Sequence, residues 1–367
     1  MNKKEIGLYI HIPFCKQKCY YCDFISFANR DNLIKEYIDR LKKEIKEYEL
    51  NKFKISTIYI GGGTPSHIDS KYIVDILAAV GKTAKETTIE VNPGTVTEEK
   101  LQDYINAGIN RLSIGLQSSC NNILKQIGRI HDFKQFLDTY NLARKVGFKN
   151  INVDLMIGLP NQTMQDVEDS LKEVIKLEPE HISVYSLIIE EGTKIEQMIK
   201  SKELIQLDEE IERTMYWKVK NTLQKSGYSH YEISNFSKKG YKSKHNTDCW
   251  NQKEYIGLGV AAHSYLNKTR YSNTENLLKY IEKNERTIHE TQDKFSEMKE
   301  YMLLGLRKIS GVNIQEFKNK FIENPIYIYR DELNRLVKNK LIEIDTNYIK
   351  LTKKGIDLAN LVWEEFV

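Results

Sequence analysis

Short apolar runs recur along the first half of this chain, each bounded by polar turn residues and followed by a longer amphipathic stretch. Six runs have the β-branched and tyrosine-rich character of strands: GLYIHI (7–12), STIYIG (56–61), TTIEVN (87–92), RLSIGL (111–116), NINVDLMIG (150–158) and HISVYSLII (181–189). Between them LIKEYIDRLKKEIKEYEL, YIVDILAAVGKTA, TEEKLQDYINAG, DFKQFLDTYNLARKVG and TMQDVEDSLKEVIKL have helical spacing, several stopped by Gly108, Gly147 or Pro179. Alternation of this kind predicts parallel strands joined by helices. Six repeats predict an α/β fold on a partial (βα)6 barrel rather than a closed eightfold one.

Past residue 205 the alternation stops. A helical stretch (208–226) leads into a segment rich in Tyr, Gly and Asn, 227–275, whose weak period predicts an irregular cover. From Phe295 the pattern changes to EMKEYMLLGLRKI and DELNRLVKNKL, then to LIEID and YIKLT around Thr346 and Asn347. Helix, helix, hairpin is the order of a small, mostly helical winged-helix-like unit. The expected division is a barrel over 1–205, a connecting cover over 206–294 and the C-terminal unit over 295–367. Such units can bind DNA, but no arginine cluster marks a recognition helix, so a scaffold or lid is expected and no nucleic-acid partner.

The totals narrow the class further. Apolar residues are 40% of 367, enough to pack cores in two or three domains. Lys and Arg (55) nearly balance Asp and Glu (51) with the signs interspersed, so +4 calls for neither nucleic acid nor an anionic membrane. The N-terminal apolar run, about six residues followed by His11, Pro13, Cys15 and Lys16, is too short and polar for a signal peptide. No run approaches the ~20 apolar residues of a membrane span. Three of the five cysteines share one loop, unlike the spaced framework of a secreted disulfide protein, and a cytoplasmic location is expected.

That loop, HIPFCKQKCYYCDF, directly follows the first strand and holds Cys15, Cys19 and Cys22 at CxxxCxxC spacing. Three thiolates can converge on one metal centre if the backbone curls around it. Structural zinc would need a fourth protein ligand, from His11, Cys120 or Cys249. A [4Fe–4S] cubane normally takes four cysteines, so three leave one iron open to an exogenous ligand. The amino and carboxylate groups of S-adenosylmethionine can chelate such an iron, and an electron from the cluster can then cleave the sulfonium C–S bond.

CKQKCYYC resembles the cluster loop of the radical S-adenosylmethionine superfamily, whose fold is a partial (βα)6 barrel. The remaining site residues should lie at the C-terminal strand ends, which form one face of such a barrel. Gly62, Gly63 and Thr64 in GGGTP resemble the element that bonds the methionine amino group. Glu90 ends the third strand, Gln117 the fourth, and Asp154 lies in the fifth; three polar groups on one rim point to a binding site. By resemblance to the coproporphyrinogen oxidase branch these would contact the nucleoside, Arg129 in IGRIHD would pair with the methionine carboxylate, and Tyr9 would be a further cofactor contact.

LYIHIPFC, YCDF, IYIGGGTPS, IEVNP, SIGLQS, IGRIHD, VDLMIGLPNQT and EISNF match in order over 8–236, with GLGVAAHS near 257–264. They resemble the oxygen-independent coproporphyrinogen III oxidase-like family and, within it, the haem-chaperone branch called HemW. The oxidases carry CxxxCxxCxC, where this chain has Phe24, and an N-terminal extension, where it starts fourteen residues before Cys15. Both differences favour the chaperone, which implies binding haem and passing it to an acceptor protein, with a membrane-associated respiratory protein as a candidate and a homodimer left open. The alternative is the oxidase, decarboxylating coproporphyrinogen III to protoporphyrinogen IX. The branch's HNxxYW haem motif reads His245-Asn246-Thr247-Asp248-Cys249-Trp250 here, making His245 the expected axial ligand, with Cys249 where the motif has tyrosine. Trp250 can stack on a porphyrin face; His263 in AAHS fits either a cofactor contact or core packing.

Overall fold

The computed structural model describes residues 3–367. Six parallel strands stand side by side in chain order: β1 (Lys4–Ile12), β2 (Phe53–Gly62), β3 (Glu86–Val91), β4 (Arg111–Gln117), β5 (Ile151–Ile157) and β6 (His181–Ser186). Helices α1 (Ile34–Glu47), α2 (Ser70–Val80), α3 (Glu98–Asn106), α4 (Phe133–Val146) and α5 (Met164–Lys176) connect them. Local chemistry sets their ends. Asp132 with Gln135, and Thr163 with Asp166, form capping boxes on α4 and α5. Gly81 and Gly147, at φ of +60° and +115°, end α2 and α4 in the left-handed region open to glycine.

The two faces of these strands differ in kind. Ile58, Ile60, Ile89, Leu112, Ile114, Val153 and Ile182 are buried in one core with Ile73, Leu101, Phe136, Tyr140 and Leu171 of the helices. Each such side chain contributes about 1.5–3 kcal/mol by leaving water. The alternate positions are polar and bond to one another across the interior. Tyr59 donates to Glu90, Ser113 to Asp154, and Asn152 joins Ser113, Asp154 and His181.

Segment 227–275 is not an irregular cover. It forms β7 (Ser229–Glu232), β8 (Asn235–Ser237), β9 (Tyr255–Leu258), β10 (His263–Leu266) and β11 (Thr269–Asn273), followed by β12 (Arg286–Thr291). All join one twelve-stranded sheet of order β12-β11-β10-β9-β1-β2-β3-β4-β5-β6-β8-β7. The strand β9 runs parallel to β1, Gly7 opposite Tyr255 and Ile10 opposite Leu258, and is thus a seventh parallel strand. The five strands within 227–275 have three to five residues each, too short to display a period, which is why the sequence hid them. The buried Glu44 of α1 helps fix this extension, accepting from Gly259 N, Asn273 Nδ2 and Tyr280 Oη at 2.9, 2.8 and 2.6 Å.

Helix α6 (Glu209–Lys225) packs on α5, and the short helix α7 (Lys244–Trp250) covers the N-terminal end of the barrel. The C-terminal unit has helices α8 (Lys294–Gly305), α9 (Ile314–Phe321) and α10 (Arg330–Lys338). Its small sheet joins β13 (Val312–Asn313), β14 (Ile342–Ile344) and β15 (Tyr348–Leu351) in the order β13-β15-β14. Its own core gathers Met302, Phe317, Leu336, Ile349, Val362 and Phe366. Trp217 Nε1 donates to Asp357 at 2.7 Å, and Ile309 N to Tyr231 O at 3.1 Å, tying the unit to the barrel. Among the described residues no helix is long and apolar enough to cross a membrane.

Candidate cluster and cofactor site

At the C-terminal ends of the strands a cavity of about 480 Å³ opens, within the usual ~300–1,000 Å³ of small-molecule and cofactor sites. The cysteine loop forms one wall. Its two ends are clamped by a short parallel pairing of Phe14–Cys15 with Phe27–Ala28 and by a 2.7 Å bond from Phe27 N to Pro13 O. Tyr20 N bonds to Ile127 O and Gln17 Nε2 to Gly128 O, pinning the middle of the loop to the segment after β4.

Cys15, Cys19 and Cys22 all line this cavity. Burial raises the Cys15 thiol, and burial followed by the neighbouring Cys19 pushes Cys22 up to about 11. Thiols that resist ionisation in this way become thiolates when they ligate a metal centre. Among the described residues no three His, Cys, Asp or Glu groups converge on the position of one bare metal ion. A cubane takes one thiolate per iron and needs no such convergence. His11 has both ring nitrogens engaged, Nδ1 with Tyr9 Oη at 2.9 Å and Nε2 with Ile25 O at 2.8 Å, and burial lowers it to about 4. Cys120 and Cys249 lie outside the cavity, the first in an apolar cluster with Tyr20 and Tyr21, the second on α7.

The glycines at the end of β2 permit close approach. A Cβ on Gly62, at φ +115°, would sit 2.6 Å from the His11 ring, and one on Gly63 would sit 2.9 Å from Cys15 Sγ. Thr64 Oγ1 donates to Cys15 Sγ at 3.5 Å and accepts from Asn92 Nδ2 at 2.9 Å. Glu90 accepts from Tyr59 Oη at 2.8 Å and Gly62 N at 3.2 Å, yet burial still lifts it to about 7. Burial likewise raises Asp154, against the lowering effect of bonds from Asn152, Ser183 and Ser113. Gln117 ends β4 at φ +74°, an uncommon conformation for a side-chain-bearing residue. Such strain is often held at functional sites. Arg129 reaches under it, Nη2 donating to Asn92 Oδ1 at 2.8 Å and Gly115 O at 2.6 Å, with Nη1 3.5 Å from Cys19 Sγ.

Gly62, Gly63, Thr64, Glu90, Gln117, Arg129 and Asp154 therefore share one cavity with the three cysteines. Tyr9, His245 and His263 do not. Tyr9 lies a layer deeper, stacked on Tyr59 with ring centroids 6.3 Å apart. His245 is deeper still: its ring stacks on Tyr59 at 5.3 Å, Nδ1 meets Thr57 Oγ1 at 2.9 Å, and burial lowers it to about 4. The Glu86 carboxylate accepts from the backbone N–H groups of Lys244 and His245, a favourable place for an anion at a helix N-terminus. His263 stands exposed on β10 beside His289. The sequence reading passed over Asn92, Ser113, Tyr59 and Tyr185, which also line the cavity. The signal was present in the polar alternate positions of TIYI, IEVN, RLSIG and HISVYS.

Residues 9–174 match the radical SAM superfamily and residues 293–358 the HemN C-terminal domain. The heme chaperone HemW of Lactococcus lactis is 37% identical over 100% of this chain and 98% of its own length. That of Bacillus subtilis is 35% identical over 98% of each chain, and that of Escherichia coli 31% identical over 99% and 98%. This chain belongs to the HemW family of radical SAM proteins. The fold agrees with that of coproporphyrinogen III oxidase (HemN) from Escherichia coli, at a TM-score of 0.86 and 22% identity over 99% of this chain and 90% of that one. Membership of the HemW family implies S-adenosylmethionine and an iron–sulfur cluster, and the three-thiol wall with its polar rim is a donor set that fits both.

Proposed function

We propose that this protein is a haem chaperone, binding haem and passing it to an acceptor, with a [4Fe–4S] cluster on Cys15, Cys19 and Cys22 and S-adenosylmethionine beside it. The observation that carries the reading is the end-to-end similarity to proteins named as haem chaperones, together with Phe24 in place of the oxidases' additional cysteine. The cluster would supply an electron to the sulfonium of S-adenosylmethionine. This chain's part is positional. Gly62, Gly63 and Thr64 leave room for a ligand's amino group, Arg129 offers a guanidinium fork to a carboxylate, and Glu90, Gln117 and Asp154 offer polar contacts to a nucleoside. Tyr9 would support them from the layer beneath, through His11 and Tyr59.

His245 would hold the haem iron, through Nε2. In the resting fold its Nδ1 lies 2.9 Å from Thr57 Oγ1 and the ring is packed on Tyr59. Ligation then requires α7 to lift its ring from Tyr59. A cytoplasmic setting, an acceptor among membrane-associated respiratory proteins, and the division at 205 and 294 belong to the same proposal. The test is an anaerobic titration of the cluster-reconstituted chain with haem. The wild type is expected to develop a Soret shift that His245→Ala weakens. No absorbance change in the wild type refutes the chaperone reading, and conversion of coproporphyrinogen III with dithionite and S-adenosylmethionine would establish the oxidase instead.

A further inference from the structure

A second and larger hollow, of about 820 Å³, lies at the opposite, N-terminal end of the barrel. Its floor is apolar, made by Phe53 and Ile55 at the start of β2, Val74, Leu77 and Ala78 on α2, and Ala84 before β3. Lys3, Lys54, Lys82 and Lys85 edge it, and no Asp or Glu is among its lining residues. Lys54 pairs with Glu5 at 2.8 Å, whereas Lys3, Lys82 and Lys85 have no carboxylate within 4.0 Å among the described residues. An apolar floor with a purely cationic edge suits a flat apolar molecule bearing carboxylates. It suits a neutral or cationic ligand poorly.

We infer that this groove is the docking site for haem, the porphyrin lying on the Phe53, Leu77 and Ala78 floor and its two propionates meeting the lysines. The inference deepens the chaperone reading and rests on it. Two further observations favour the groove. The cavity at the other end, about 480 Å³, already has a cluster and a whole S-adenosylmethionine to accommodate under that reading. The inner end of the groove also adjoins the helix that bears His245. Ser56, which lines the groove, contacts Asp248 of α7 at 3.4 Å, and its chain neighbour Thr57 holds His245. Haem seated here would rest against the same stretch of β2 that holds the proposed ligand in place.

The test titrates hemin into the full-length reconstituted chain, following the Soret band and checking iron content and thermal melting of each variant. Lys82→Glu with Lys85→Glu is expected to weaken binding about tenfold or more, because two attractions become repulsions. Ala78→Trp, which fills the floor, should do the same, and Lys82→Arg with Lys85→Arg should bind as the wild type. All of these residues are surface positions remote from the cluster, so iron content should not change. Unchanged hemin affinity in both the charge-reversed and the Ala78→Trp proteins overturns the assignment while leaving the chaperone reading intact. No hemin binding by the wild type overturns both. Pelleting with phosphatidylglycerol vesicles that depends on Lys82 and Lys85, with hemin titration unaltered, assigns the groove to a lipid surface and overturns the haem assignment.

Discussion

Gly62→Ala tests the idea that the barrel's polar interior and the cysteine loop are one mechanical unit. The added Cβ would lie 2.6 Å from His11 Cε1 and 2.7 Å from Nδ1, at a residue whose φ is +115°. Holding an alanine at that φ costs of order 1–3 kcal/mol. Displacing the buried His11 ring breaks its bond to Tyr9 or to Ile25 O and leaves a polar group unpaired, for another ~1–3 kcal/mol. The expected loss is therefore about 2–6 kcal/mol. Ile25 lies on the returning arm of the cysteine loop, so iron uptake should fall as well. Gly81→Ala is the control. Its φ is +60° and the nearest atom to a new Cβ is Ala78 O at 3.7 Å, so it should lose only ~1 kcal/mol. Urea unfolding followed by circular dichroism, with iron per chain after reconstitution, measures both effects. Should Gly62→Ala lose no more stability than Gly81→Ala and load a full complement of iron, the coupling through His11 is wrong.

Replacing Cys15, Cys19 or Cys22 singly by Ala should abolish most iron and sulfide retention, whereas Cys120→Ala and Cys249→Ala should retain it; colorimetric iron and sulfide assays decide. In cluster-free protein Glu90, held near 7 against an ordinary 4.5, keeps its proton longer when folded than when unfolded, so its contribution to stability falls as pH rises from about 4.5 through 7. Glu90→Gln should therefore match the wild type near pH 5 and exceed it by up to ~3 kcal/mol above pH 8, and parallel urea midpoints across that range would refute the burial argument. Glu44→Ala strips the partner from Gly259 N, Asn273 and Tyr280 together and is expected to cost ~3–5 kcal/mol, read as a lower urea midpoint; a change under ~1 kcal/mol would mean that water replaces the carboxylate.

The amino-acid sequence by itself determined the six βα repeats, because each strand is long enough to show its own period, α2 to α5 each carry a side-chain N-cap, and α2 and α4 end at a glycine. It also displayed the cysteine loop, since CxxxCxxC is a local pattern, and the residues Gly62, Glu90, Gln117 and Asp154, on successive strands, that line the same cavity. Tertiary structure decided what depends on pairing across long separations. Tyr255–Leu258 becomes a seventh parallel strand only because β1 offers an open edge to it, some 250 residues earlier in the chain. His245, legible as a motif residue, is placed by Thr57, Tyr59 and Glu86, none of them near it in sequence. The basic groove is likewise assembled from the start of one strand, the end of one helix and the loop after it. Periodicity and spacing report what a segment can form alone; which surfaces then face each other is settled by packing, where burial of the apolar faces leaves the polar ones to find partners inside the barrel.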